Sequence, residues 1–154
     1  MPSSASARNL SDCIRPKTTG CEVLPEGLDV ADSAVVAVFV ATVEACLGPV
    51  DVCVTNSGGH PSNLFKSTPP GAWRTAVDQL LMSTVYFARE TLPRMQKNKW
   101  GRLITITSSA VKQPADGQLL SNSIRAAVTG LARTLANEYG TSIAVDGGLV
   151  RSLL

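Results

Sequence analysis

The chain is poor in the residues that mark several large functional classes. Histidine occurs once, at His60, and the four cysteines (Cys13, Cys21, Cys46, Cys53) form no Cys-x-x-Cys pair, so a structural zinc site lacks its ligands and no metal is expected. The cysteines read as free thiols. Excess charge is missing too: 14 Lys and Arg against 12 Asp and Glu leave a formal +2 with the signs interspersed, so no basic stripe points to nucleic acid or to an anionic membrane surface. No apolar run is long. Ala34 to Val43 is about half of the ~20 residues a membrane-spanning helix needs, and the amino terminus has no apolar signal core. The expectation is a cytoplasmic protein whose partner is a small molecule, with neither nucleic acid nor membrane among its ligands.

What is present is enough for one core. At 154 residues, 44% hydrophobic and 17% charged, the chain has the size and make-up of a single globular domain. Residues 1–25 mix Ser, Pro, Lys, Arg and Gly without apolar period and read as a weakly ordered leader, with the folded domain over 26–154. Gly27-Leu28-Asp29-Val30 is a candidate short strand. Asp32 or Ser33 can cap a helix whose Val36, Phe39, Val40, Val43 and Leu47 share a face, and Gly48-Pro49 stops it. Val50 to Thr55 is β-rich and breaks at Asn56-Ser57-Gly58-Gly59. A helix is expected from near Pro70 and Trp73 to about Met95, with Pro93 kinking or ending it. Leu103 to Thr107 is the next strand, Leu119 to Tyr139 the last helix, ending at Gly140, and Ser142 to Gly148 a closing strand and turn. Strands alternating with helices argue for βαβ units and a parallel sheet.

The strand that ends in Thr107-Ser108-Ser109 is the most informative segment. β-branched residues that stop at hydroxyls deliver a polar group to the carboxyl edge of a sheet, where open α/β sheets bind ligands. Three blocks in order carry a resemblance: Asp51 to Gly58, Gly101 to Ser109, and Ala126 to Glu138, followed by Val145-Asp146-Gly147-Gly148. Together they resemble the short-chain dehydrogenase/reductase family over roughly Gly27 to Val150. Their counterparts there are D-V-L-V-N-N-A-G, G-R-I-V-N-I-S-S, the helix after the catalytic lysine, and the closing strand.

That resemblance implies an α/β fold with a reduced Rossmann-like parallel sheet of three or four strands. It also implies an oxidoreductase acting on an alcohol or carbonyl with NAD or NADP. Ser108 stands where the family's catalytic serine holds the substrate oxygen. Thirteen residues on, Ser121 takes the place of the proton-donating tyrosine, and four further on Arg125 takes the place of the lysine that lowers the tyrosine's pKa and binds the nicotinamide ribose. A serine hydroxyl is far less acidic than a phenol of pKa near ~10, so Ser121 is no simple substitute. Arg125 keeps the charge but does not shuttle protons. Leu80 falls where many members hold an Asn that anchors a relay water. Asn56, Ser57 and Gly58 match the turn that approaches the adenosine ribose, and Asp29 the acid that meets the adenine amino group. The bland alternatives are an ordinary turn, an exposed acid, and a Ser108 that merely caps the next turn. His60, in the loop that overhangs the substrate in the family, is otherwise an exposed loop residue.

Family segments are also absent: the glycine-rich turn that cradles pyrophosphate, and the segment with the substrate-covering helices that normally lies between Tyr139 and Ser142. In the family's strand order 3-2-1-4-5-6-7, the first two strands separate the Leu28 segment from the Val50 strand. Either these two pair directly, or an apolar strand edge is left open. The closing strand is free to take the sixth position by a right-handed crossover through the last helix. The other reading is a catalytically inactive, dimerising or partner-binding remnant. Helices 73–95 and 119–139, the family's dimer interface, are then the expected homo-oligomer surface.

Overall fold

A computed structural model describes residues 22–59, 61, 63–139 and 142–145, the last four as backbone. Helix α1 (Ser33–Leu47) starts at Asp32, whose carboxylate accepts from the amides of Ala34 and Val35 at 2.8 and 3.3 Å. It stops at Gly48, whose φ of 90° lies in the region that favours glycine. Strand β1 (Val52–Thr55) follows. A continuous helical rod then runs through α2 (Pro70–Ala76), a π-helical stretch (Val77–Met82) and α3 (Ser83–Lys97). Strand β2 (Arg102–Ile106), helix α4 (Leu119–Tyr139) and strand β3 (Ser142–Val145) complete the described chain.

The three strands form one parallel sheet in the order β1-β2-β3, with Val52 opposite Arg102 and Leu103 opposite Ser142. The closing strand thus pairs beside β2, as expected for a crossover through α4. Two expectations are corrected. The Leu28 segment is not a strand: residues 22–32 are irregular backbone ending in a turn, because four residues with no strand beside them have no ladder to join, and among the described residues β2 is the one strand that pairs with β1. Pro93 does not end its helix, which continues to Lys97 with Pro93 exposed. Tyr139 ends α4 as expected. Gly140 and the turn at 146–148 lie outside the described residues.

Alternate residues of β1 and β2 point to one covered face. Cys53, Thr55, Leu103 and Thr105 are buried, and Cys53 and Leu103 pack with Ala88, Leu92 and Met95 of α3. The opposite face carries Val52 and Val54, 48% and 56% exposed, beside the half-exposed Ile104 and Ile106. At about 25 cal/mol per Å² of apolar area removed from water, the covered face holds the fold and the bare one contributes little. Gly101 lets β2 start directly under α3: a β-carbon there would fall inside the Met95 side chain. A second cluster joins Ala76 and Leu80 to Leu120 and Ile124 of α4. Helix α1 packs on α3 through an edge-on contact of Phe39 and Phe87, centroids 6.4 Å apart, and an ion pair of Arg94 with Glu44 at 3.1 Å. No helix among the described residues is long and apolar enough to cross a membrane.

Candidate active site

The parallel strands bring the carboxyl ends of β1 and β2 together. Thr55 and Thr105 face each other across the ladder, and the buried Thr55 Oγ1 donates to Thr105 Oγ1 at 3.2 Å, a side-chain bond that fixes the two ends in register. Beyond β2 the chain stays extended through Ser108 (φ −144°, ψ 146°), then turns into a short 3-10 helix, Ser109–Val111. Ser108 Oγ accepts from the Ala110 amide at 3.2 Å. Capping uses one lone pair. A hydroxyl also has a second lone pair and a proton, so Ser108 retains a donor for a ligand oxygen.

Arg125 is the centre of the arrangement. From α4 its Nη1 donates to the Ile106 carbonyl at 2.9 Å and its Nη2 to the Ser57 carbonyl at 3.0 Å. One guanidinium therefore ties the end of β2 to the loop after β1. Its pKa is lowered because burial disfavours the charged form, yet an arginine remains a cation at any physiological pH. Among the described residues no carboxylate lies within ion-pair distance of it. Ser121 sits in the first turn of α4, four residues before Arg125 and hence on the same helix face. Its neighbour Asn122 donates from Nδ2 to the Ala115 carbonyl at 2.9 Å, while its buried Oδ1 has no hydrogen-bond partner among the described residues. At the rim the Asn63 amide donates to the Gly117 carbonyl at 2.8 Å, joining the loop after β1 to the entry of α4.

The sequence-selected residues thus divide. Arg125 and Ser57 touch, and Ser108 follows Ile106 by two positions, so these three share one strand edge. Asn56 and Gly58 are exposed beside them, and Gly58 faces open space. Asp29 stands apart: its carboxylate accepts from the Ala31 amide at 2.9 Å and its carbonyl from Asp32 at 3.2 Å, a turn leading into α1. Leu80 lies in the π-helical stretch, 1% exposed against Leu120 and Ile124. A hydrocarbon side chain fills that position. Tyr139 packs at the far end of α4, near Cys53 and Leu103. Cys53 is buried and its thiol is pushed up to about 11 by that burial, with a bond to Thr91 pulling it back, so it is no nucleophile near neutrality. His60 lies outside the described residues. Sequence reasoning missed the two carbonyl partners of Arg125, since a backbone oxygen carries no residue identity.

Chemically, the edge offers a hydroxyl and a fixed cation. It holds no described group whose acidity can be tuned toward neutrality. The described residues also fit a dinucleotide only in part: Asn56 to Gly58 leave an open approach, but nothing described forms a cradle of backbone amides for a pyrophosphate, and no step is routed through such a group.

A parallel sheet with helical crossovers and a polar carboxyl edge defines a reduced Rossmann-like α/β protein. The family model "short chain dehydrogenase" matches residues 4–149, and the chain belongs to the short-chain dehydrogenase/reductase family. Nodulation protein G of Azospirillum brasilense is 34% identical over 114 residues, 73% of this chain and 46% of the relative. The crystal structure of a short-chain dehydrogenase from Streptomyces avermitilis superposes with a TM-score of 0.82 at 26% identity, covering 96% of this chain and 55% of that one. ElxO with NADP bound superposes at 0.69 with 25% identity, covering 73% and 46%. The chain therefore spans about half the length of the proteins it matches.

Proposed function

We propose that the strand edge formed by Ser108, Ser57 and Arg125 is a reduced oxidoreductase site of the short-chain dehydrogenase type, for the alcohol or carbonyl oxygen of a small molecule and for NAD or NADP. The observation that carries this is the Arg125 guanidinium bonding the ends of two adjacent parallel strands, at Ser57 and at Ile106, two residues before Ser108. In this reading Ser108 donates to the substrate oxygen. Arg125 holds the two strand ends and supplies fixed positive charge, and Ser121 lines the helix face beside it. Neither moves a proton near neutral pH, so catalysis by this chain is slow. NADP bound to the similar ElxO supports the cofactor class.

A second reading is a catalytically inactive module that dimerises through α4 and the rod at 73–95. What favours it is the exposed small surface of α4, where Ala126, Ala127 and Gly130 leave room for a second helix, together with the hydrocarbon at Leu80. Calorimetry with NADH and NADPH on the folded chain separates the two. Saturable binding that Ser108→Ala leaves intact, with carbonyl reduction that it abolishes, supports the oxidoreductase reading. A folded chain that binds neither nucleotide but sediments as a dimer supports the second, and a monomer at high micromolar concentration without nucleotide binding sinks both.

A further inference from the structure

Ahead of the helical rod the chain makes a 3-10 turn, Phe65–Ser67, that is fixed by its own hydrogen bonds. The Leu64 carbonyl accepts from the Ser67 amide at 3.1 Å and from the hydroxyls of Ser67 and Thr68 at 3.1 and 2.8 Å. The Phe65 carbonyl accepts from the Thr68 amide at 3.3 Å. Pro70 then opens α2, a position where the ring sacrifices no helical bond. So constrained, the turn still presents Leu64 and Phe65 to solvent, 69% and 76% exposed. Apolar side chains exposed as a group and rimmed by polar residues mark a contact surface.

Phe65 and Trp73 line an open cleft of about 660 Å³ together with Lys66, Thr68, Pro70 and Arg74. Trp73 is its anchored wall, half-buried and packed on the cluster of Ala76, Leu80, Leu120 and Ile124. Lys66 and Arg74 give the lining two exposed cations, and no carboxylate lines it. Among the described residues neither cation is in an ion pair, Arg74 with Asp78 four residues on included. The volume is that of a small-molecule site, about 300–1,000 Å³, where apolar walls hold the ligand and a few polar groups orient it. We propose that this cleft binds a small organic carboxylate with an apolar body. The body lies against the Phe65 and Trp73 rings, and the carboxylate meets Lys66 and the planar fork of Arg74, which matches its two oxygens. A neutral ligand leaves both cations without a partner, and a cationic one is repelled. The cleft shares no residue with the strand edge at Ser57, Ser108 and Arg125, so its ligand binds whether or not that edge is active.

The chain has two tryptophans, so Trp100→Phe, at an exposed position, leaves Trp73 as the one reporter. Octanoate titrated into the whole chain carrying that change, with Trp73 fluorescence as the readout, is expected to give a saturable response. Lys66→Gln and Arg74→Gln together weaken binding about tenfold or more, as loss of hydrogen bonds to charged groups does, with the circular dichroism spectrum unchanged. Phe65→Ser, also at an exposed position, weakens it about fivefold through lost apolar contact. Octanol, with the same chain and no charge, binds about tenfold more weakly, and octyltrimethylammonium gives no response. Absence of saturation overturns the proposal. So does a response that ignores the paired glutamine substitutions, or equal binding of octanol. A Trp73 shielded from acrylamide in the ligand-free chain overturns it too, since the chain itself would then cover the cleft. Self-association that Phe65→Ser abolishes would give the cleft to a second copy and overturn it equally.

Discussion

Replacing Arg125 by methionine isolates what the guanidinium does for the fold. Two charge-assisted hydrogen bonds, at 2.9 and 3.0 Å to Ile106 and Ser57, are lost. Bonds to a charged group contribute about 1.5–3 kcal/mol each when fully effective. The site is half-buried, so water re-enters to solvate both carbonyls, and methionine escapes the cost of desolvating a cation. The net expected loss is about 2 kcal/mol, from the two bonds after that discount. With a urea slope of about 1–3 kcal/mol per molar, the unfolding midpoint falls by about 1 M. Arg125→Lys keeps the charge but not the planar fork, and falls between the two. Urea titrations followed by circular dichroism at neutral pH give the three midpoints. An Arg125→Met midpoint within about 0.3 kcal/mol of the parent, the range of ordinary surface changes, would refute the tie. A lysine variant equal to the parent would show that charge, and not two-point geometry, is what matters.

Two further outcomes follow from buried groups. Cys53 is held protonated to about pH 11 in the folded chain, against a reference of 9.0. The unfolded state therefore releases its proton first, and stability falls as pH rises from 9 toward 11. At about 1.4 kcal/mol per unit the loss reaches up to roughly 3 kcal/mol; Cys53→Val flattens this alkaline limb, and an unchanged limb in urea titrations at stepped pH contradicts the assignment. Leu80→Asn puts an amide among Ala76, Leu120 and Ile124 and is expected to cost about 3 kcal/mol. Thermal unfolding checks it, and a variant as stable as the parent would mean that water already reaches the π-helical stretch.

Much of the fold was legible because local signals agreed with tertiary ones. The N-cap at Asp32, the stop at Gly48 and the boundaries of α4 each rest on residues within one or two turns of the event. The Leu28 strand failed for the opposite reason: its residues favour extension, but a strand exists only beside another, and composition does not say whether the neighbour is there. Pro93 does not stop its helix because a proline at an exposed helical position sacrifices one bond to solvent while Leu92 and Met95 hold the helix on the sheet. At the site, spacing led to Ser108 and Arg125 but not to what Arg125 grips. Asp29 also forms the turn that leads into α1, a local role that its place before a helix suits as well as the one the family resemblance implies.

The parallel register has a consequence for the time course of folding. Val52 meets Arg102 and Leu103 meets Ser142, so no two neighbouring strands form a local hairpin. Each pairing waits for an intervening helix to form and dock, and the loop-closure entropy is lost before the ladder returns anything. The sheet is thus a late product, assembled from helices that form first. Refolding after dilution from denaturant should therefore show helical signal ahead of the burial of Cys53, whose protection from thiol reagents marks the closing of β1 onto β2.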